Sequence, residues 1–550
     1  MFNRRKFLKT MAAGAAASAQ PVTVLASRNA ESVGGFGVHE FIESNPDAVF
    51  IMRTNVDVKT NSDGMKQAGM DFGRSVIVPK ENGVPLSHLV PIKPNLTSSY
   101  SSSYTQEKIE STMGIVTDPH FVEGIIESMK ELGLSGNQFY LREVNSPEHF
   151  GPRGYTDMAE RTGADMRDLA TVVWSSNSSA TTLSSEYVQW IDLPEGLWYR
   201  KIPYLWPVNA PNTFYLNVAK FKTHGMGVTL CGKNIQGTMA HNYQAHCSSP
   251  NRSMDMNSTD MNPNAFADIQ ANFDRHLAEG VPRWDRTGSN WNCGIGMETW
   301  ASRATDNHLA SNVALNIIEG VYGRDGNFSA GPHMPDGSVD LNNKRGIAKD
   351  YMSNIVIFGK NAFHNDVIGH WLAGHEPGNF GLFYLSRDRG MSKYINPFSV
   401  PLYEWNNGVA TRVQLDTLER TPLLTYYLQK NYGGQTENYW HMVDEPVDYT
   451  TVDVAREEVS DKPGSFVLNQ NYPNPFNPYT SIEFTIPHDG HARLEVYNVS
   501  GQVIDVLVDG RLTRGSHMAT FNTNGHASGT YFYRFMFGGF SEVRKMTLLK

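Results

Sequence analysis

The sequence predicts an α/β fold, with a mostly parallel sheet flanked by helices, followed by a C-terminal immunoglobulin-like β-sandwich. Between residues 89 and 143 an apolar run of strand length, an amphipathic helix over 121–132 and a second strand follow one another, as in parallel sheets. From residue 466 onward, short alternating runs recur between turns, which is typical of a sandwich of about 80 residues. With 550 residues the chain is too long for one core, so we expect at least two domains.

Apolar runs bounded by turn residues define the remaining elements of the first part. Residues 62–76 have the pattern of a helix, although Gly64 and Gly69 weaken it. The expected strands are 48–52, 89–96, 138–143, 171–174, 216–224, 312–320 and 355–359.

Changes in composition divide the chain into four parts. We expect a signal peptide at 1–27, the α/β main domain at 28–405, an extension and linker at 406–465, and the sandwich at 466–550. Residues 238–306 are rich in Asn, Met, Trp and Ser, and we interpret them as an insertion in the main domain. Long insertions of this kind commonly serve as lids or binding loops.

The amino terminus has the features of an export signal. Arg4 and Arg5 precede the weakly apolar stretch MAAGAAASA, which resembles a twin-arginine signal and implies the twin-arginine translocase as a partner. This stretch is too short to span a bilayer, and no other segment has about 18 uninterrupted apolar residues. We therefore predict no transmembrane span.

Charge and cysteine content limit the classes of function. A net charge of -9 argues against a nucleic-acid-binding protein, which usually has a basic surface. Cys231, Cys247 and Cys293 are too few for the four ligands of a usual iron–sulfur cluster, so none is expected. A disulfide between Cys247 and Cys293 is compatible with export.

The stretch LNVAKFKTHGMGVTLCGKNIQG, residues 216–237, concentrates positive charge and glycine. Side chains alternate between the faces of a strand, so Lys220, Lys222 and His224 share one face. Lys233 follows nearby, and no Asp or Glu occurs in the whole stretch. The lysines must therefore meet either a carboxylate distant in sequence or an anionic ligand.

The same stretch resembles the signature of the family called domain of unknown function 362, with its K-x-K-T-H, V-T-L and K-N-x-x-G segments. The resemblance covers roughly residues 48–405 and includes the strings IKPNL and GIVTDP. Two departures are visible. Glu319 stands where the family has aspartate, and Asn361-Ala362 replace an Asp-Pro pair, whereas Asp366 keeps the second acid.

The C-terminal part carries its own resemblance. The string NYPNPFNP from Asn471, the run GTYFYR from Gly529 and the terminal KMTLLK resemble the C-terminal sorting domain of type IX secretion substrates. This resemblance implies the type IX secretion machinery as a partner. It also implies passage through the periplasm to the cell surface or the medium.

Ligand sites in open α/β sheets lie at the carboxyl ends of the strands, so we expect the polar residues at these ends to converge on one pocket. Lysines with a histidine suit a small anion, and a neutral imidazole can act as general base. We assign catalysis to His224, Lys222 and Asp366. Ligand binding is assigned to Lys93, Asn95, Lys220, Lys233, Asn234 and Asp325, and a metal contact to Asp118.

These assignments favour an exported enzyme that uses acid–base chemistry on an anionic small molecule, with or without a divalent metal. A looser similarity to lactate racemase-like proteins favours a hydrolase or an isomerase. The sequence contains no G-x-S-x-G elbow, P-loop, H-E-x-x-H or G-x-G-x-x-G after a strand. The alternative is a surface protein that binds an anion or a polysaccharide without chemistry.

Overall fold

A computed structural model gives the fold of most of the chain. The expected signal peptide, the expected strand 171–174, Cys247 and Cys293 lie outside the described residues. The described residues are 34–96, 105–144, 151–167, 185–224, 227–228, 230–240, 260–281, 284–285, 294–342, 346–425, 429–430, 440–452, 467–471, 474–486, 489–513, 515–523, 525–537 and 540–549.

The chain forms two compact units, Met1–Asp453 and Val454–Lys550. The helices of the first unit are α1 (Glu40–Glu43), α2 (Ser62–Val76), α3 (Gln106–Ser111), α4 (Pro119–Lys130), α5 (Tyr155–Thr162), α6 (Cys231–Asn234), α7 (Ala265–Ala278), α8 (Gly294–Ala310), α9 (Ala362–Leu372), α10 (Gly381–Asp388) and α11 (Tyr449–Val452).

The strands of the first unit are β1 (Gly35–Val38), β2 (Val49–Arg53), β3 (Ile77–Lys80), β4 (Val84–Pro85), β5 (Val90–Pro94), β6 (Phe139–Leu141), β7 (Val188–Asp192), β8 (Lys201–Leu205), β9 (Tyr215–His224), β10 (Gly227–Val228), β11 (Trp284–Asp285), β12 (Val313–Arg324), β13 (Ala330–His333), β14 (Asp350–Gly359), β15 (Leu402–Asn406), β16 (Val409–Arg412) and β17 (Gln429–Lys430). Those of the second unit are β18 (Val467–Leu468), β19 (Tyr479–Ile486), β20 (Gly490–Tyr497), β21 (Val503–Leu512), β22 (Gly515–Asn522), β23 (Gly529–Phe537) and β24 (Phe540–Leu548).

The main sheet of the first unit is mixed and mostly parallel, as the sequence predicts. Its strands are ordered β16-β15-β2-β14-β12-β9-β5-β6, and β10 pairs with β9 at one end. The neighbours β6, β5, β9 and β12 are parallel, and so are β2 and β15. Strand β14 runs antiparallel to both β12 and β2. We call the end of the sheet where β9 and β12 finish the carboxyl edge; β5 finishes earlier, at Pro94 opposite Val218.

Each face of this sheet is covered by helices. On one face, Leu216 and Val218 of β9 pack in a core with Phe72 of α2 and Phe121 of α4. On the other face, the intervening residues of β9, such as Ala219 and Phe221, pack in a core that includes α9 and α10. The side-chain alternation predicted for β9 is therefore present, with Lys220 and Lys222 on the α2–α4 side.

The described part of the region interpreted as an insertion, residues 238–240, 260–281, 284–285 and 294–306, contains helix α7 and most of helix α8. Helix α8 buries polar side chains on several sides, including Glu298, Arg303 and Asp306. The carboxylate of Asp306 accepts hydrogen bonds from the backbone N–H groups of residues 197–199 and from the guanidinium of Arg389. Because its buried residues are polar as well as apolar, α8 lacks the apolar stripe by which a helix is recognised in sequence.

The second unit consists of two antiparallel sheets, β18-β19-β22 and β21-β20-β23-β24. Alternate residues of β19, β20 and β23 form its core, among them Phe484, Leu494 and Phe535. This arrangement is consistent with the β-sandwich predicted for the C-terminal part. Over the whole described chain, no helix is both long and apolar enough to cross a membrane.

Candidate functional site at the carboxyl edge

The register of the main sheet decides which of the predicted site residues can meet. Lys93 lies opposite Asn217, which lies opposite Asn316, whereas Lys222 lies opposite Arg324. At about 3.3 Å per residue, the five steps along β9 from Asn217 to Lys222 separate these two positions by roughly 16 Å. Because Asn217 and Lys222 are an odd number of positions apart, their side chains also lie on opposite faces of the sheet. The predicted residues consequently form separate groups and do not converge on a single pocket.

Lys220 belongs to a buried network on the α2–α4 face. Its Nζ lies 2.6 Å from Glu319 Oε2, and both side chains are fully buried. The same ammonium lies 3.3 Å from the centroid of the Tyr322 ring. Burial raises the pKa of Glu319, against the attraction of Lys220. Lys220 thus has a carboxylate partner that is distant in sequence, which is the first of the two outcomes that the sequence allows.

Asp118, the candidate metal contact, is part of the same network. Its Oδ1 caps α4 by accepting from the backbone N–H of His120, and its Oδ2 accepts from the hydroxyl of Tyr322. Both carboxylate oxygens therefore already serve protein donors. Among the residues that the structure describes, no three His, Cys, Asp or Glu side chains are grouped as metal ligands.

Lys93 and Asn234 meet on the opposite face. Lys93 Nζ lies 2.6 Å from Glu143 Oε2 and 3.3 Å from Asn234 Oδ1, and burial lowers the pKa of this lysine. The amide of Asn234 donates to the carbonyl of Lys93 and to Asn217 Oδ1. Asn217 in turn donates to Asn316 Oδ1. This chain of hydrogen bonds ties β5, β9 and β12 to the segment that follows β9.

Asp366 lies away from the carboxyl edge because β14, the strand that precedes it, runs in the opposite direction. Its carboxyl group, on α9, accepts hydrogen bonds from the backbone N–H groups of Cys231 and Gly232 at 2.8 and 2.7 Å. Burial raises the pKa of Asp366 to about 8. Its geometry is that of a cap on α6, and it does not join Lys222 and His224.

Two further predicted residues flank these groups. Lys233 is half-buried on α6, and no described residue provides it with a carboxylate. Asn95 is buried just beyond the end of β5, where its backbone N–H donates to Thr117 Oγ1.

The carboxyl edge brings Lys222 and His224 together around Phe328. The Lys222 ammonium lies 5.4 Å from the centroid of the Phe328 ring, and the His224 imidazole packs edge-on against it at 5.1 Å. Phe328 has a φ of 57°, in the left-handed region that a bulky side chain rarely adopts. Lys222 is only 2% exposed, whereas His224 is half-buried.

Asp325, which directly follows β12, is bound by two side chains that the sequence reading did not select. His333 Nε2 lies 2.7 Å from Asp325 Oδ2, and the hydroxyl of Tyr351 donates to the same oxygen at 3.1 Å. Asp325 Oδ1 accepts from the backbone N–H of Lys349. Burial is the main cause that raises the pKa of Tyr351, and the negative charge of the neighbouring Asp325 raises it further. The carboxyl edge therefore carries Lys222, His224 and Asp325 of the predicted set.

The residues missed in sequence are Glu143, Phe328, His333 and Tyr351. Glu143 had a usable signal, since it follows β6 and β6 is a parallel neighbour of β5, which carries Lys93. His333 and Tyr351 lie on a short strand and on an antiparallel strand, and no local pattern links them to Asp325.

Comparisons with known proteins agree with both resemblances. Residues 90–342 match the family model described as Domain of unknown function (DUF362), and residues 470–548 match the model of the secretion system C-terminal sorting domain. The first match is narrower than the 48–405 expected. The sorting domain indicates export to the cell surface or extracellular space, as predicted. No curated protein matches the chain.

Two solved structures resemble the chain only weakly. One is PorZ, an essential surface component of the type-IX secretion system of Porphyromonas gingivalis, with a TM-score of 0.12 and 10% identity over 27% of this chain and 20% of that chain. The other is an endo-β-1,4-mannanase from Thermotoga petrophila, with a TM-score of 0.12 and 10% identity over 78% of this chain and 82% of that chain. At these TM-scores neither likeness bears on fold or activity.

Proposed function

We propose that the chain is an exported enzyme acting on a small anion at the carboxyl edge. The sorting domain supports export, and the groups gathered at the carboxyl edge support the chemistry. In this proposal Lys222 binds the charge of the anion, and His224 moves a proton on the bound molecule. Lys93 and Lys220 stabilise the fold, since each already has a buried carboxylate within 2.6 Å.

The arrangement of Lys222 and His224 around Phe328 supports this proposal most. Strained backbone conformations cost roughly 1–3 kcal/mol and concentrate at functional sites. Here the strained residue, at φ 57°, holds an aromatic ring against both a cation and an imidazole. The site also lies at the carboxyl ends of parallel strands, where α/β sheets usually bind their ligands.

The chemistry that fits these groups is general acid–base catalysis. An imidazole changes its protonation state near neutral pH, and a nearby ammonium stabilises negative charge that develops on a bound carboxylate or phosphate. Hydrolysis and isomerisation can both use such a pair. A surface protein that binds a small anion without chemistry is the alternative, and it would use Lys222 in the same way.

The test uses the full-length secreted protein. Binding of inorganic phosphate, sulfate and acetate is measured by calorimetry. Turnover is measured as hydrolysis of p-nitrophenyl phosphate and as exchange of the α-proton of small 2-hydroxy carboxylates in D₂O, followed by NMR. His224→Gln should abolish turnover and leave anion affinity within a few fold.

His88→Gln is the matched control, since His88 lies just before β5 and therefore at the amino end of this strand, away from the carboxyl edge. It should change neither quantity. Full turnover in the His224 variant would exclude His224 as the base. Tight anion binding without any turnover in the unmodified protein would favour the binding protein.

A further inference from the structure

Three side chains from separate segments meet beside the proposed site. Asp325 follows β12, His333 ends β13 and Tyr351 lies in β14. His333 Nε2 lies 2.7 Å from Asp325 Oδ2 and 3.2 Å from the hydroxyl of Tyr351. Asp325 is fully buried, whereas the His333 side chain is 14% exposed. A buried carboxylate therefore holds an imidazole that reaches the surface.

These contacts select one tautomer of His333. A carboxylate only accepts hydrogen bonds, so the proton of a neutral His333 lies on Nε2, between the ring and Asp325. Nδ1 then carries a lone pair, and no described residue donates to it. Hydrogen bonding of one ring nitrogen to a carboxylate is the usual way in which proteins fix the tautomer and increase the basicity of the other nitrogen.

Asp325 already accepts three hydrogen bonds from the protein. Its Oδ1 accepts from the backbone N–H of Lys349 at 2.7 Å, and its Oδ2 accepts from both His333 and Tyr351. The Tyr351 ring also lies 5.4 Å from the Lys349 ammonium. These contacts fit a residue that positions the imidazole, whereas the sequence predicts ligand binding for Asp325.

We propose that His333 is a second proton-transfer residue of the carboxyl edge, positioned by Asp325 and Tyr351. This inference rests on the proposed function. Strands β9 and β12 are parallel and end side by side, so His224 and Asp325 lie at the same edge of the sheet. The proton passes from the bound anion, or from a water beside it, to Nδ1, and the electron pair stays on the donor. The resulting imidazolium is balanced by the Asp325 carboxylate. With two imidazoles, one can take a proton while the other returns one.

The first experiment reads the tautomer without any substrate. In full-length protein labelled with ¹⁵N-histidine, the His333 resonances should show a protonated Nε2 and an unprotonated Nδ1 at high pH. Asp325→Asn should abolish this preference. A protonated Nδ1 in the unmodified protein would overturn the proposal, and so would an unchanged tautomer in Asp325→Asn.

The second experiment measures reactivity at the same nitrogen. Diethyl pyrocarbonate acylates unprotonated imidazole nitrogens, and mass spectrometry resolves the rate at each histidine. His333 should react faster than His120, and Asp325→Asn should remove most of the difference. Equal rates at His333 and His120 would contradict an activated Nδ1. Inorganic phosphate should slow acylation of both His224 and His333. Absence of this protection would count against the anion site, but it would not affect the conclusion about the tautomer of His333.

Turnover supplies the third readout. His333→Gln should lower the rate of α-proton exchange or ester hydrolysis by roughly 10²- to 10⁴-fold, the usual contribution of a general acid or base. The midpoint of urea unfolding should stay unchanged. Unaltered turnover would overturn the proposal, and a lowered midpoint with proportional loss of turnover would make His333 structural.

Discussion

Lys220 and Glu319 form an ion pair with 2.6 Å between Nζ and Oε2, and water reaches neither side chain. Glu319 stands on β12, a neighbouring strand, and the two residues face each other in the parallel register. The hydroxyl of Tyr322, whose ring packs against the ammonium, continues the network to Asp118. A lysine that the sequence leaves without an acidic neighbour is thus neutralised by the fold.

Replacement of Lys220 by Met should destabilise the first unit strongly. The change leaves the Glu319 carboxylate buried without its counter-ion, and loss of one partner of a buried pair typically costs about 3–5 kcal/mol. The free energy of unfolding is measured by urea denaturation. Arg74→Met is the control, because Arg74 and Glu131 form an exposed pair that is expected to contribute about 1 kcal/mol or less. Similar losses in the two variants would contradict the burial argument.

Asp366 should make the stability of the first unit depend on pH. Its pKa is raised by burial from 3.8 to about 8, so the folded protein keeps a proton that the unfolded chain releases. The unfolded state therefore binds fewer protons between pH 4 and 8, and stability falls as the pH rises through this window. Asp366→Asn cannot release a proton and should remove this fall, which is roughly 3–4 kcal/mol between pH 5 and 8 for a pKa raised to about 8.

The control for this prediction is Asp366→Ala, which leaves the N–H groups of Cys231 and Gly232 without their acceptor. At pH 5 it should lower stability by about 1–3 kcal/mol relative to the unmodified protein. Because it also lacks the titrating carboxyl group, it should, like Asp366→Asn, show no fall between pH 5 and 8. If the stability of the unmodified protein and that of Asp366→Asn changed equally with pH, this would show that Asp366 is ionised over the whole pH range.

Local patterns predicted much of the fold. Residues 62–76 form a helix with these same bounds, and the expected strands 48–52 and 355–359 correspond to β2 and the end of β14. Helix α8 was missed because its buried residues Arg303 and Asp306 are polar and satisfied by distant partners. Hydrophobic periodicity cannot detect a helix of this kind.

The candidate site was less predictable because it depends on strand direction and register. The sequence identified Lys222, His224 and Asp325, which do lie at the carboxyl edge. It grouped Asp366 with them because it treated β14 as one more parallel strand. The direction of β14 is set by pairing with β12, 26–43 residues earlier, and with β2, about 300 residues earlier. No pattern within β14 itself shows this direction.

The packing of α2 against α4 predicts a sensitive glycine. A Cβ at Gly69 would lie 2.0 Å from the carbonyl oxygen of Phe121, so Gly69→Ala must push the two helices apart. Alanine favours a helix over glycine by about 1 kcal/mol, but overpacking typically costs 1–3 kcal/mol, and the rigid backbone contact makes the second effect larger. We expect a net loss of about 1–2 kcal/mol in urea unfolding. At Gly151 the nearest atom would be 3.5 Å away, so Gly151→Ala should be close to neutral.

The twin-arginine prediction has a direct test in the native host. Replacement of Arg4 and Arg5 by lysine keeps the charge but removes the paired guanidinium groups that define the signal. The variant should accumulate in the cytoplasm as a folded protein, detected by fractionation and immunoblotting. Changing Lys6 and Lys9 to arginine is the control and should leave export intact. Normal export of the lysine variant would indicate a different route.

Removal of residues 470–548 should block the last step of export while leaving the first unit folded. The second unit has its own core, including Leu494, Tyr533 and Phe535, so its loss removes no core residue of the first unit. The truncated protein is expected in the periplasm instead of the medium or the cell surface, with an unchanged urea midpoint for the first unit. Tyr533→Phe is a milder variant, since it loses the hydrogen bonds that the hydroxyl makes to the backbone of Asn469 and Asn471. If recognition requires a folded sandwich, export of this variant should fall in proportion to the loss of sandwich stability. Full export despite unfolding of the sandwich would indicate that the secretion machinery recognises the terminal sequence itself.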